Sequence, residues 1–196
     1  MNFRSMVCVA AVAASATATP ISLQRFDTNH STIGFRVPIL GGMSEVQGKF
    51  TDYALEAVFD EEHLENSSVK AVIQAASIDT GIKARDDDLR SPNFFDVVKY
   101  PDITFQSSRV EKTANGYLAR GEFTMHGVTK QIALPFTVTG VRRDPVKKTI
   151  VVGFAADIHL NRQDYGISWK HQIDPAFVGD DVLVQIRLIT KLNPLP

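Results

Sequence analysis

Leu89–Ser108 reads LRSPNFFDVVKYPDITFQSS. It holds a helix end, a Ser91-Pro92 break, the Phe94-Phe95 pair, a Tyr100-Pro101 dipeptide and the opening of a strand. Pro101 biases Tyr100 toward an extended backbone. A crossover broken twice by proline belongs in water, yet this one carries Phe94, Phe95, Val97, Val98 and Tyr100. That is too much apolar surface to leave solvated. The stretch therefore folds back onto an apolar body, and the flanking segments say which.

Downstream, alternation dominates. Ile103, Phe105 and Ser107 oppose Thr104, Gln106 and Ser108, and Asn115-Gly116 is a strong hairpin turn. Tyr117, Ala119, Gly121, Phe123 and Met125 share one face of the next strand. His126-Gly127 turns the chain into Ile132, Leu134, Phe136 and Val138, with Pro135 marking an edge or a bulge. Asp144-Pro145 turns it again into Ile150, Val152, Phe154, Ala156, Ile158 and Leu160. A polar loop over 161–179 holds Tyr165, Trp169, His171 and Phe177, and Val182, Val184, Ile186 and Leu188 form the last strand.

Upstream, a strand is expected over Phe26–Val37 and a second from Val46 through Phe59. Gly48 inside the second signals a bend or a close approach to the backbone. Asp60 caps one helical turn. A third strand runs over Ser68–Ile78, and Ile82–Arg90 is a short surface helix whose Asp86-Asp87-Asp88 run reads as a solvated face. The total is about eight long, mostly hairpin-connected strands with one helical insertion, which argues for an antiparallel all-β fold. Several exceed ten residues, against a mode of about 5–6, so an eight-stranded barrel is expected over a sandwich.

The N-terminus is a different kind of segment. Met1–Arg4 is short and positive, Met6–Ala14 is apolar, and Ala16-Thr17-Ala18 is a small-residue cleavage pattern. This reads as a secretory signal peptide cleaved near Ala18, and places residues 19–196 in the periplasm or outside the cell as one domain. Cleavage removes Arg4 from 21 basic residues, none of the 22 acidic ones, and Cys8, the only cysteine. No basic excess argues for nucleic acid, and no disulfide is expected.

Eight strands enclose an interior just wide enough to fill with side chains or to hold one ligand. The inward sets mix Phe50, Phe105, Phe123, Phe136 and Phe154 with Gly48, Ala71, Ala75, Ala119, Gly121 and Ala156. Small residues facing the axis fit either a solid core or a tunnel for a linear apolar molecule.

NFFDVVKYPDITFQSS, GEFTMHGVTKQI and NRQDYGI, in this order behind a signal peptide, resemble the YceI-like family of lipid- and polyisoprenoid-binding proteins. The likeness covers roughly Phe26–Leu192. It implies an elongated, lipocalin-like barrel with short helices near its opening and a long-chain lipid along its axis. The ligand would then lie against Phe35, Phe50, Ile73, Phe94, Phe95, Phe105, Phe123, Phe136, Phe154 and Trp169, with Arg85 or Arg162 at its headgroup. The chain departs from the family at two places. Pro38-Ile39-Leu40-Gly41-Gly42 and Asp88 stand where relatives often carry histidine.

No catalytic constellation emerges. His126 sits in a turn and His159 on a polar face; Ser91, Ser107 and Ser108 lack a nucleophile-elbow context, and no phosphate-binding glycine motif occurs. Loop residues His171 and Asp174 are the basis of an alternative reading as a cryptic hydrolase or isomerase, but two candidate ligands do not make a metal site. Arg85 with Asp86, and Arg162 with Asp164, read either as local pairs and loop caps or as headgroup contacts. Arg142, Arg143, Lys147 and Lys148 cluster at one hairpin tip, as a solvated turn or a contact with anionic lipid. The expected partners are a lipid ligand and, transiently, a membrane, with the chain a monomer or homodimer. No enzymatic activity, metal or cofactor is expected.

Overall fold

The computed structural model describes residues 21–23, 26–60, 62–191 and 193–194. The expected signal peptide, its cleavage site and Cys8 lie outside them. The strands are β1 (Ile21–Leu23), β2 (Thr32–Ile39), β3 (Ser44–Phe50), β4 (Tyr53–Phe59), β5 (Ser68–Gln74) and β6 (Ile78–Asp79). After helix α1 (Lys83–Arg90) come β7 (Asp102–Thr113), β8 (Gly116–Met125), β9 (Val128–Asp144), β10 (Thr149–Asn161), β11 (Asp181–Ile189) and β12 (Asn193–Pro194).

The pairings are all antiparallel, and β4, β5, β7, β8, β9, β10, β11, β2 and β3 neighbour one another in that order. The two ends of this order, β4 and β3, are joined by Thr51 and Asp52 alone, so the sheet curls round and closes on itself. β3 with β4 forms one stave, and β5 with β6 another, each broken at the same level. Ile78 pairs with Phe50 beyond the break and Ile73 with Tyr53 before it. The break is satisfied locally: the Thr51 hydroxyl donates to the Ser77 carbonyl at 3.1 Å, and the Ser77 hydroxyl donates to the Gln74 carbonyl at 2.7 Å. With β1 and β12 as short additions, the twelve strands of the described residues make the expected eight staves. Closure leaves few strand edges unpaired.

Three expectations shift. The first long strand starts at Thr32; Phe26 makes only an isolated bridge to Thr190. The two upstream strands expected to be continuous are each broken, at Thr51-Asp52 and at Ala75–Ser77, because periodicity does not reveal a shared kink. Gly48 does mark a close approach, since a Cβ there would collide with the Phe35 ring and Thr80.

Pro135 sits where a ladder stops. β9 pairs with β8 from Met125 to Tyr117 but with β10 only as far as Phe136 opposite Ala156. The Phe136 carbonyl lies beside Gly116 of β8, and backbone groups alternate between neighbouring strands. Residue 135 therefore faces β10, and proline has no N–H to give it.

The end carrying the hairpins at 113–116 and 144–149 is packed solid. Leu23 of β1, Ile150 and Val152 are fully buried there. Phe59 meets Tyr117 edge-on at 5.4 Å, and Tyr117 stacks on Phe136 at 5.2 Å. In β7, Ser108 is an extra residue between the pairs Ser107–Gly121 and Arg109–Arg120. Buried Ser107 accepts the Val69 N–H at 2.8 Å, which explains a hydroxyl on an inward face. The bulge presses on Gly121, where a Cβ would overlap the Gln106 carbonyl.

Gly121→Ala should therefore cost about 1–3 kcal/mol, read from the urea midpoint. Gly140→Ala, where a Cβ meets nothing within 4 Å, should change stability by less than about 0.5 kcal/mol.

Candidate functional site: an apolar cavity and its covered mouth

A cavity of about 540 Å³ runs inside the barrel. Its wall is apolar except for Ser67, Ser68, Arg85, Asp88 and Arg162. Inward residues stay only half-buried on both sides of the barrel, Val37, Ile158 and Val184 on one and Leu55, Ile73, Phe123 and Leu134 on the other, although they face the axis. Ile103 and Ala119 are packed tight. Between a solid core and a tunnel, the structure has a tunnel with a packed floor. The volume lies within the roughly 300–1,000 Å³ typical of ligand sites.

The mouth is covered by two connections. After α1, the chain winds through tight turns in which Phe95 N–H donates to Leu89 O and Asp96 N–H to Ser91 O. α1 itself is fastened to the rim by Arg90, which donates to the carbonyls of Ala76 at 2.7 Å and Ile78 at 2.6 Å. These anchors aim Phe94 and Phe95 inward. Phe95 meets Phe50 edge-on at 5.9 Å, and Phe94 lies against Trp169 of the second connection at 5.4 Å. Leu89 joins this packing, but Val98 points into water, against the expectation that it folds back with Phe94 and Phe95, and Ile82 is exposed as well.

A clasp holds the covers in place. The Tyr100 ring packs over Gly127 and contacts the His126 ring at 4.4 Å. His126 and Gly127 both have positive φ, as a tight hairpin turn requires. His126 Nδ1 donates to the Tyr165 carbonyl at 3.0 Å. Tyr165 is buried, meets Phe123 edge-on at 5.3 Å, and ends a 3-10 turn over Arg162–Tyr165 that Gly166 closes in the left-handed region. Burial, then the nearby Asp164 charge, raise the Tyr165 phenol's pKa, so it stays protonated.

The polar groups divide into spent and available. Arg162 is 5% exposed and donates to the carbonyls of Gly179, Ile167 and Val178, at 3.0, 2.8 and 3.2 Å. Its ion pair is with Asp180 at 2.8 Å, not with Asp164, which pairs with Lys130. Arg85 does not pair with Asp86 either. Both grip Thr80: Asp86 accepts its N–H and hydroxyl, while Arg85 donates to its hydroxyl at 2.7 Å and its carbonyl at 2.9 Å. Arg85 is half-buried at the cavity edge, beside Asp88, which holds Asn93 at 2.9 Å. His171 Nδ1 accepts the Asp174 N–H at 3.2 Å, while the Asp174 carboxylate accepts the Ala176 N–H. That geometry shapes a loop and lacks the carboxylate-to-imidazole bond that orients a general base. Among the described residues no three metal-ligating side chains gather.

All ten apolar residues singled out in the sequence, and both arginines, border this cavity. The wall of β10 and β11, including Ile158, Leu160 and Val182, was visible as alternation but not ranked above the aromatic positions. Phe177 also lines the cavity. It was missed because a loop has no periodicity to assign its face.

A closed antiparallel barrel of eight staves with an apolar axial cavity and one covered mouth is a lipocalin-like binding architecture. Within that class the chain belongs to the YceI-like domain family, whose model matches residues 24–189. It is 36% identical over 156 residues to the UPF0312 protein YE1254 of Yersinia enterocolitica, covering 80% of each. The crystal structure of Burkholderia cenocepacia BcnA superposes with a TM-score of 0.73 at 23% identity, over 85% of this chain and 99% of that one. A polyisoprenoid-binding domain from Saccharophagus degradans shares the fold with a TM-score of 0.59 at 15% identity, over 88% and 99%.

Arg162→Ala should lose more than about 2 kcal/mol of stability, because it strands three carbonyls and Asp180 together. Arg85→Ala, with one partner residue at the rim, should lose less than about 1 kcal/mol. Urea unfolding of the two variants compares them.

Proposed function

We propose that this protein is an exported carrier or buffer, without catalytic chemistry, that holds one long-chain apolar lipid in its barrel. A polyisoprenoid, a quinone-like molecule and a fatty-acyl chain all have the required shape. The observation that carries this reading is the cavity wall: apolar along its length, with its charged side chains gathered at the covered end. Family membership and the fold shared with a polyisoprenoid-binding domain support it. Arg85 is the better headgroup candidate of the two arginines, because the donors of Arg162 are already committed to the loop. The expected setting is the periplasm or the medium, after cleavage near Ala18, as monomer or homodimer.

The energetics favour a carrier over an extractor. Burying a CH₂ from water contributes roughly 0.8 kcal/mol, so a 40-carbon chain would gain about 30 kcal/mol from water. That exceeds the roughly 18–21 kcal/mol at which affinities saturate. Such a lipid instead starts in a membrane, already out of water. Moving it into the barrel gains little hydrophobic energy and costs chain entropy. Shape, headgroup contacts and direct membrane encounter then decide the exchange.

Native mass spectrometry of the purified chain, followed by organic extraction, should find a bound lipid of one class. A barrel that stays empty when offered polyisoprenol, quinone and fatty acid would overturn the proposal. Phe95→Asp should lower lipid retention at least tenfold with a smaller effect on folding, since Phe95 is half-buried and faces the cavity. Equal retention would reduce the Phe94-Phe95 pair to a core plug.

A further inference from the structure

Five large apolar side chains stand exposed at the covered end of the barrel: Leu40, Met43, Ile82, Val98 and Ile173. Met43 is 88% exposed, Val98 94% and Ile173 89%. They come from three separate connections, β2 to β3, β6 to β7, and β10 to β11. The Leu40 N–H donates to the Phe177 carbonyl at 2.9 Å, and Ile39 bridges to Val178. Two of the three connections are thereby tied together, and Phe177 itself lines the cavity. The arc stands on connections that border the cavity through Ile39, Leu89 and Phe177.

We propose that this arc docks the mouth of the barrel onto a zwitterionic phospholipid bilayer, a surface that deepens and rests on the carrier reading. Single exposed apolar residues are ordinary, but a concentration around one opening marks an interaction surface. The charges on the three connections show no excess of cations. Asp86, Asp87, Asp88, Asp96, Asp164, Asp174 and Asp180 stand with Lys83, Arg85, Arg90, Lys99, Arg162 and Lys170, and Lys83 is paired with Asp87 at 2.5 Å. The arc therefore offers apolar insertion at the headgroup level rather than attraction to anionic lipid. A lipid that passes straight from bilayer to cavity never exposes its chain to water, and only mouth-first contact permits that. The basic hairpin with Arg142, Arg143, Lys147 and Lys148 lies at the far end of β9, 17 residues long. At about 3.3 Å per residue, it stands tens of ångströms away when the mouth is docked.

Trp169 is the only tryptophan and sits in the mouth, which provides a direct probe. Phosphatidylcholine vesicles with brominated acyl chains should quench its fluorescence. Met43→Ser/Val98→Ser/Ile173→Ser should lose at least half of that quenching. The variant should also take a fluorescent polyisoprenol analogue from vesicles at least tenfold more slowly, with the amount bound at equilibrium unchanged. Arg142→Ser/Lys147→Ser should behave as the wild type. The proposal is overturned if the triple variant is quenched and loaded like the wild type, or if the hairpin variant alone is slowed. Loading of the wild type without quenching overturns docking and leaves the carrier reading standing. Quenching that the triple substitution abolishes, in a protein that takes up no lipid, supports docking and removes the carrier reading.

Discussion

The hydrogen-bonded closure of the sheet is the constraint on which the rest depends. An apolar space of several hundred cubic ångströms is costly, because the side chains around it lack dispersion partners. A loosely held shell would collapse into it. Here the wall is a ladder that returns to its own start through Thr51 and Asp52, so each stave is held from both sides over much of its length. The floor takes up the packing that the middle forgoes, with Leu23, Ile150 and Val152 fully buried. A rigid wall and a dense floor let the interior above the floor remain open.

The mouth obeys a different economy. Its covers are loops, whose backbone groups are bonded through tight turns, a 3-10 turn and the buried guanidinium of Arg162. What makes them a unit is the contact of three distant segments, Tyr100, His126-Gly127 and Tyr165-Gly166. These belong to the three stretches by which the chain resembles its family. They do their work as structure: an aromatic ring over a glycine, and an imidazole bonded to a carbonyl. The ring of Phe and Trp side chains beneath them is free to face the cavity because the clasp carries the positioning. The division leaves the wall and the rim, where Asp88 and Ile39 border the cavity, free of the task of holding the covers.

Two charged clusters took on a new meaning once placed in space. Asp86 reads as one of a run on a solvated helix face, yet it is buried and ties Thr80 to α1. Arg162 reads as a partner of Asp164 two residues away, yet it reaches Asp180 and three carbonyls of the returning loop. Sequence neighbours are the first partners that come to mind. A turn of the backbone separates them and brings Arg162 to Val178, Gly179 and Asp180, 16 to 18 residues further on.

By itself the sequence determined the all-β class, the hairpins and the inward face of most staves, because a period of two assigns every second side chain to one side. It determined the lid too, since Phe94 and Phe95 could not be left in water. Tertiary structure alone decided that the interior is hollow. The same alternation describes a filled barrel and an empty one, and only the spacing of opposite walls tells them apart. It alone decided the shared kink of the β3–β4 and β5–β6 staves, a match between two segments rather than a property of either. And it alone set Leu40, Met43, Ile82, Val98 and Ile173 around one opening, because loops have no period from which exposure can be read.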